Sequence, residues 1–103
     1  MNLSALRILG VGRNKEIMDV IYRLLNTPEG RACKVVLSTE EAVAAVKATS
    51  YHMVLLCGGI TPVEENDLRT QLLAIDNNLI IIRHYGGGSG LLENEIMQAL
   101  ANR

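Results

Sequence analysis

Four side chains with usable chemistry stand where short apolar runs end: Arg13, Cys57, Arg83 and His84. Arg13 follows Leu6-Arg7-Ile8-Leu9-Gly10-Val11-Gly12, Cys57 closes His52-Met53-Val54-Leu55-Leu56, and Arg83 and His84 follow Leu79-Ile80-Ile81-Ile82. Two guanidinium groups held side by side, with the amides of Gly58 and helix N-termini nearby, would make an anion-binding pocket. The plainer reading is a pair of solvated arginines. A thiol placed between arginines acquires a lowered pKa and can serve as a nucleophile or redox centre, with His84 approaching from the next run. The plainer reading of Cys57 is a small apolar residue buried at the end of a strand. Cys33 carries no hint of function, and two cysteines lack both metal-site spacing and the number needed for a disulfide framework.

Two glycine patterns invite a phosphate reading. Gly10-Val11-Gly12 begins like a dinucleotide fingerprint, but the third position holds Lys15, and the acidic ribose partner would have to come from Ser38-Thr39-Glu40. Gly86-Gly87-Gly88-Ser89-Gly90 offers either an amide nest for an anion or a flexible hinge ahead of a helix.

The elements that would position these groups alternate along the chain. After the first apolar run, Ile17, Val20, Ile21 and Leu24 recur at helical spacing over residues 15–25, with Asn14 as N-cap and Thr27-Pro28-Glu29-Gly30 as the stop. Lys34-Val35-Val36-Leu37 reads as a second strand, and Ser38 with Glu41 forms a capping box before an alanine-rich helix. The run over 52–57 is the most continuously apolar, the mark of a central strand buried on both faces. Thr61 with Glu64 is a second capping box with Pro62 at the first helical position, and Leu68, Leu72 and Ile75 are the inner stripe of that helix. Leu79-Ile80-Ile81-Ile82 is the fourth strand, and a last helix over 91–101 turns Leu92, Ile96, Ala99 and Leu100 inward. Strict strand–helix alternation requires parallel pairing and right-handed crossovers, hence a three-layer α/β/α sandwich with its functional groups at the C-terminal ends of the strands.

Length and composition narrow the classes. The 103 residues make one α/β domain, 1–103, with 49% hydrophobic residues and no Trp or Phe, so the core is aliphatic. Ten Lys+Arg against eleven Asp+Glu leave a net charge of −1, unsuited to gripping nucleic acid. No apolar stretch approaches the roughly 18–20 residues of a membrane span, and the first residues lack a signal-peptide pattern, so a cytoplasmic location is expected.

The blocks resemble a response-regulator receiver domain. Arg7-Ile8-Leu9-Gly10-Val11 before an amphipathic helix is similar to that family's first strand, Tyr51-His52-Met53-Val54-Leu55-Leu56 to its third, and Ile80-Ile81-Ile82-Arg83-His84-Tyr85-Gly86 to its fourth and the turn after it, over roughly residues 6–86. The resemblance implies a flavodoxin-like parallel sheet of order 2-1-3-4 lacking the fifth strand, since 17 residues after Gly86 suffice for a loop and one helix. It also implies a lost activity. The family's acidic Mg²⁺-binding pair falls on Gly12 and Arg13, its phosphoacceptor on Cys57 and its hydroxyl residue on Arg83, while Pro62 comes one place late and the strand-five Lys has no counterpart. Mg²⁺ needs hard oxygen ligands, and a thiol does not replace the aspartyl carboxylate.

The expectation is therefore a non-catalytic regulatory module with no metal and no cofactor, acting through protein contacts. The alternative is a small anion or nucleotide sensor at Arg13, Cys57, Gly58, Arg83 and His84; a nucleotide-cofactor enzyme fragment ranks below both. Without a fifth strand, Leu79, Ile80, Ile81 and Ile82 form a bare edge with neither proline nor charge to guard it, which points to a homodimer, unless the glycine loop and last helix cover it within one chain.

Overall fold

The computed structural model of the chain describes residues 6–27, 31–84 and 89–101. Strands β1 (Ile8–Val11), β2 (Lys34–Val36), β3 (Met53–Leu56) and β4 (Ile80–Arg83) alternate with helices α1 (Lys15–Asn26), α2 (Thr39–Ala48), α3 (Pro62–Ile75) and α4 (Ser89–Ala101). All strands pair parallel in the order β2-β1-β3-β4, with registers Leu9↔Lys34, Leu9↔Val54 and Val54↔Ile81. This is the flavodoxin-like arrangement read from the sequence, and no fifth strand occurs among the described residues.

Side-chain alternation along the strands builds two cores. On one face Leu9, Val11, Val36, Val54 and Leu56 pack against Ala42, Ala45 and Val46 of α2 and Leu68 and Leu72 of α3. Ala42 and Ala45 of α2 are buried in this core. On the other face Ile8, Met53, Leu55 and Cys57 meet Met18, Ile21 and Leu25 of α1 and Leu92 and Ile96 of α4. Every residue of β1 and β3 is buried, which is why these runs are unbrokenly apolar.

Helix boundaries follow their caps. Asn14 Oδ1 accepts from the Ile17 N–H at 3.0 Å, and Ser38 Oγ accepts from the Glu41 N–H at 3.1 Å. Thr61 and Glu64 exchange reciprocal bonds at 3.1 Å, forming the expected capping box. Helix α4 begins two residues before the expected start, at Ser89, and residues 86–88 of the glycine run lie outside the described residues, as do Tyr85 and the 28–30 stop.

Two details depart from the periodicity. The buried stripe of α1 is Met18, Ile21 and Leu25, leaving Ile17 and Val20 exposed, because a flexible methionine fills the space above Gly12 and turns the helix by about one position. Ile75, the last residue of α3, is exposed, so the buried stripe of that helix is Leu68 and Leu72.

Helix α4 stands on the α1 face, beside Ile80 and Ile82, and is tied down by two polar contacts. Arg31, with a side chain only 3% exposed, makes a bidentate pair with Glu93 at 2.9 and 3.0 Å, and His84 Nδ1 is hydrogen-bonded to Glu95. Leu72→Ala should lower unfolding free energy by about 2–5 kcal/mol in urea titration, since it empties a fully buried site between α3 and the sheet.

Candidate functional site

The backbone ladder runs one residue past the strands and gathers the expected residues at their C-terminal ends. The Cys57 N–H donates to Val11 O at 2.7 Å, the Gly12 N–H to Val36 O at 3.2 Å, the Arg13 N–H to Gly58 O at 3.1 Å, and the His84 N–H to Leu56 O at 2.8 Å. Main-chain proximity is thus as expected. The side chains, however, diverge.

Arg83 is in register with Leu56 and shares its face, toward α3. There its Nε and Nη2 donate to Glu65 Oε1 at 2.8 and 2.6 Å, and Nη2 also donates to Ile60 O at 3.0 Å. Arg69 donates from Nε to the other oxygen of Glu65 at 2.9 Å. Cys57 is one residue beyond Leu56 and points to the opposite face, 1% exposed among α1 and α4 residues. His84 is turned to α4 and Glu95. Arg13 pairs with Glu64 at the start of α3. The structure therefore does not bring Arg13, Cys57 and Arg83 into one pocket: the strand pleat puts Cys57 and Arg83 on opposite faces, and each arginine already has a glutamate.

What remains at the surface is a groove of about 420 Å³ lined by Arg13, Asn14, Ile17, Met18, Gly58 and Gly59. Its glycines answer to packing. A Cβ on Gly12 would lie 2.5 Å from Met18 Sδ and 3.0 Å from Cys57 Cβ, so the second glycine of the Gly-x-Gly pattern is needed for helix–strand contact whether or not a nucleotide binds. Gly59 has φ +90°, and a Cβ there would come within 2.8 Å of Arg13 Cβ, so this turn both needs left-handed backbone and seats the Arg13 stem.

Both carboxylates at this end are held in their charged form. The capping bond from the Thr61 N–H, with Arg13 beside it, holds Glu64 below the usual carboxylate range, and hydrogen bonds from Arg83 and then Arg69 do the same for Glu65. Burial pushes the Cys57 thiol up to about 12, and the carboxylate of Glu95 adds to the shift; the nearby Arg83 charge does not reverse it. Cys33 is raised by burial as well. No group of three or more His, Cys, Asp or Glu capable of holding a metal occurs among the described residues.

Glu64, Glu65 and Arg69 had signals in the sequence. Glu64 is marked by its capping box with Thr61, while Glu65 and Arg69 form an i,i+4 pair on the third helix. Glu95 had none, because only the fold brings α4 to the end of β4. The sequence matches no protein-family model and no curated protein. No helix among the described residues is long and apolar enough to cross a membrane.

The thiol environment gives a prediction. In the native protein at neutral pH both cysteines should resist an aromatic disulfide reagent, and both should react after unfolding. Because the folded pKa of Cys57 lies above the ordinary 9.0, its share of stability is complete below 9.0 and is lost as pH rises toward about 12. Urea titrations across that range should show the decline, and Cys57→Ala should lessen it.

Proposed function

We propose that this chain is a receiver-like regulatory module that does not catalyse or undergo phosphoryl transfer and acts in the cytoplasm through protein contacts, as a homodimer paired along the β4 edge. The observation that carries the reading is the state of the strand ends. The positions matching the receiver family's acidic pair, phosphoacceptor and hydroxyl residue hold Gly12 and Arg13, a buried thiol, and an arginine bound to Glu65. Internal ion pairs occupy the ground where a receiver would bind metal and phosphate, so a signal has to travel by another route.

The edge strand supplies that route. The Ile80 and His84 N–H groups donate to His52 O and Leu56 O, so in a parallel ladder Ile81 and Arg83 direct their main-chain groups outward. All four residues of β4 are partly exposed, and three are isoleucines. An outward N–H row with aliphatic flanks favours the addition of another strand.

A small-anion sensor is the second reading, favoured by the groove beside Arg13 and Gly58. There an anion would have to displace Glu64 from Arg13, which weakens this reading relative to the first.

Incubation with acetyl phosphate and Mg²⁺ should leave the intact mass unchanged. A gain of one phosphoryl group would overturn the non-catalytic reading, and a rise in melting temperature with phosphate, sulfate or nucleotides would favour the sensor. For assembly, light scattering over a wide concentration range should show a monomer–dimer equilibrium that Ile81→Pro abolishes. That change removes an outward N–H and leaves the β3 ladder intact.

A further inference from the structure

One main-chain group on the β4 edge is already taken. Arg69 of α3 reaches across the sheet edge, and its Nη1 donates to Ile81 O at 3.2 Å. Its Nε is held at the same time by Glu65, whose other oxygen holds Arg83. Three side chains of α3 and β4 thus form a clasp over the edge, and its outermost member sits on the carbonyl at the strand's centre. This supplies the edge with the charged guard that its apolar sequence lacks.

The edge is also self-complementary about that same residue. Ile80-Ile81-Ile82 reads alike in both directions. If two copies of β4 lie antiparallel with a two-fold axis at Ile81, the Ile81 N–H of each copy meets the Ile81 carbonyl of the other. The Arg83 N–H then faces the Leu79 carbonyl of the second copy; the Leu79 N–H is already used by Asp76 O at 3.2 Å. Ile80 stands opposite Ile82 on the α4 face and Ile81 opposite Ile81 on the α3 face, so like aliphatic side chains meet across the strands. The two central hydrogen bonds both need the carbonyl that Arg69 occupies.

We propose that β4 pairs in this antiparallel register with a second copy of the chain, and that Arg69 is a guard whose release from Ile81 O controls the pairing. This rests on the edge-pairing reading above and adds to it a register and a regulating residue. Glu65 keeps the guard in place, and Arg83 remains bound to Glu65 and Ile60 when Arg69 leaves.

The test compares wild type, Arg69→Met and Arg69→Lys by sedimentation equilibrium. Methionine keeps helix propensity and length but has no donor, so Arg69→Met should tighten the dimer by about tenfold, each copy no longer breaking a hydrogen bond to pair. Arg69→Lys, which retains a donor, should stay near wild type. The register is tested by Ile81→Cys under mild oxidation. A hydrogen-bonded antiparallel pair places its Cα atoms about 5.5 Å apart, within the roughly 4.4–6.8 Å of a disulfide, so a covalent dimer through position 81 should form. An Arg69→Met dimer no tighter than wild type, while Ile81→Pro still abolishes the wild-type dimer, overturns the guard and leaves edge pairing standing. Monomers in wild type and Arg69→Met alike, with no cross-link through Ile81→Cys, overturn edge pairing itself.

Discussion

The constraint on which the rest depends is that β1 and β3 must be apolar on both faces while the pleat sends successive side chains to opposite sides. From it come the two cores, with Val54 and Leu56 serving α2 and α3 and Met53, Leu55 and Cys57 serving α1 and α4. The same alternation continues past the last paired residue and decides the chemistry of the strand ends. Cys57 inherits the α1/α4 face and is sealed from solvent; Arg83, level with Leu56, inherits the α3 face and finds Glu65. A pocket uniting the two would require a break in the pleat, such as a bulge, and the ladder from Val11 O to the Cys57 N–H continues without one.

The first turn of α3 sets carboxylates against the arginines at the strand ends. Glu64 and Glu65 are neighbours in sequence but face different arginines, one from the β1–α1 turn and one from β4. Glu64 also completes the capping box, so the residue that satisfies the helix start is the one that takes up Arg13. Each ion pair is partly exposed and contributes little to stability on its own. Their consequence is electrostatic: Arg13 and Arg83, which would draw an anion to this end of the sheet, each face a carboxylate within the same fold, Glu65 being shared with Arg69.

How much of this could be read beforehand follows from the range of each interaction. The alternation of strands and helices and the caps at Asn14, Ser38 and Thr61 depend on local pattern and were legible, whereas the strand order came only with the resemblance to a receiver domain. The burial of Met18 in place of Ile17 was not, because both fit a helical stripe and only the space over Gly12 distinguishes them. The gathering of Arg13, Cys57, Arg83 and His84 at one end was legible from the fold class. The partition of their side chains between two faces needed the register, and the His84–Glu95 and Arg31–Glu93 contacts needed the position of α4, which local pattern does not specify.

The edge shows the same distinction with the opposite result. Taken as a strand alone, Leu79-Ile80-Ile81-Ile82 carries no guard, and its apolar run argues for a partner. Once α3 is laid beside it, a cation twelve positions earlier in the chain closes the central carbonyl. Protection supplied by a neighbouring helix differs from a proline or an inward charge within the strand in one respect: it can be withdrawn without refolding β4, since Arg69 is a flexible, partly exposed side chain held by a single carboxylate and one main-chain oxygen. An edge closed by proline is closed permanently. One closed by an arginine is closed only while the arginine's bonds are stronger than those a second strand would bring.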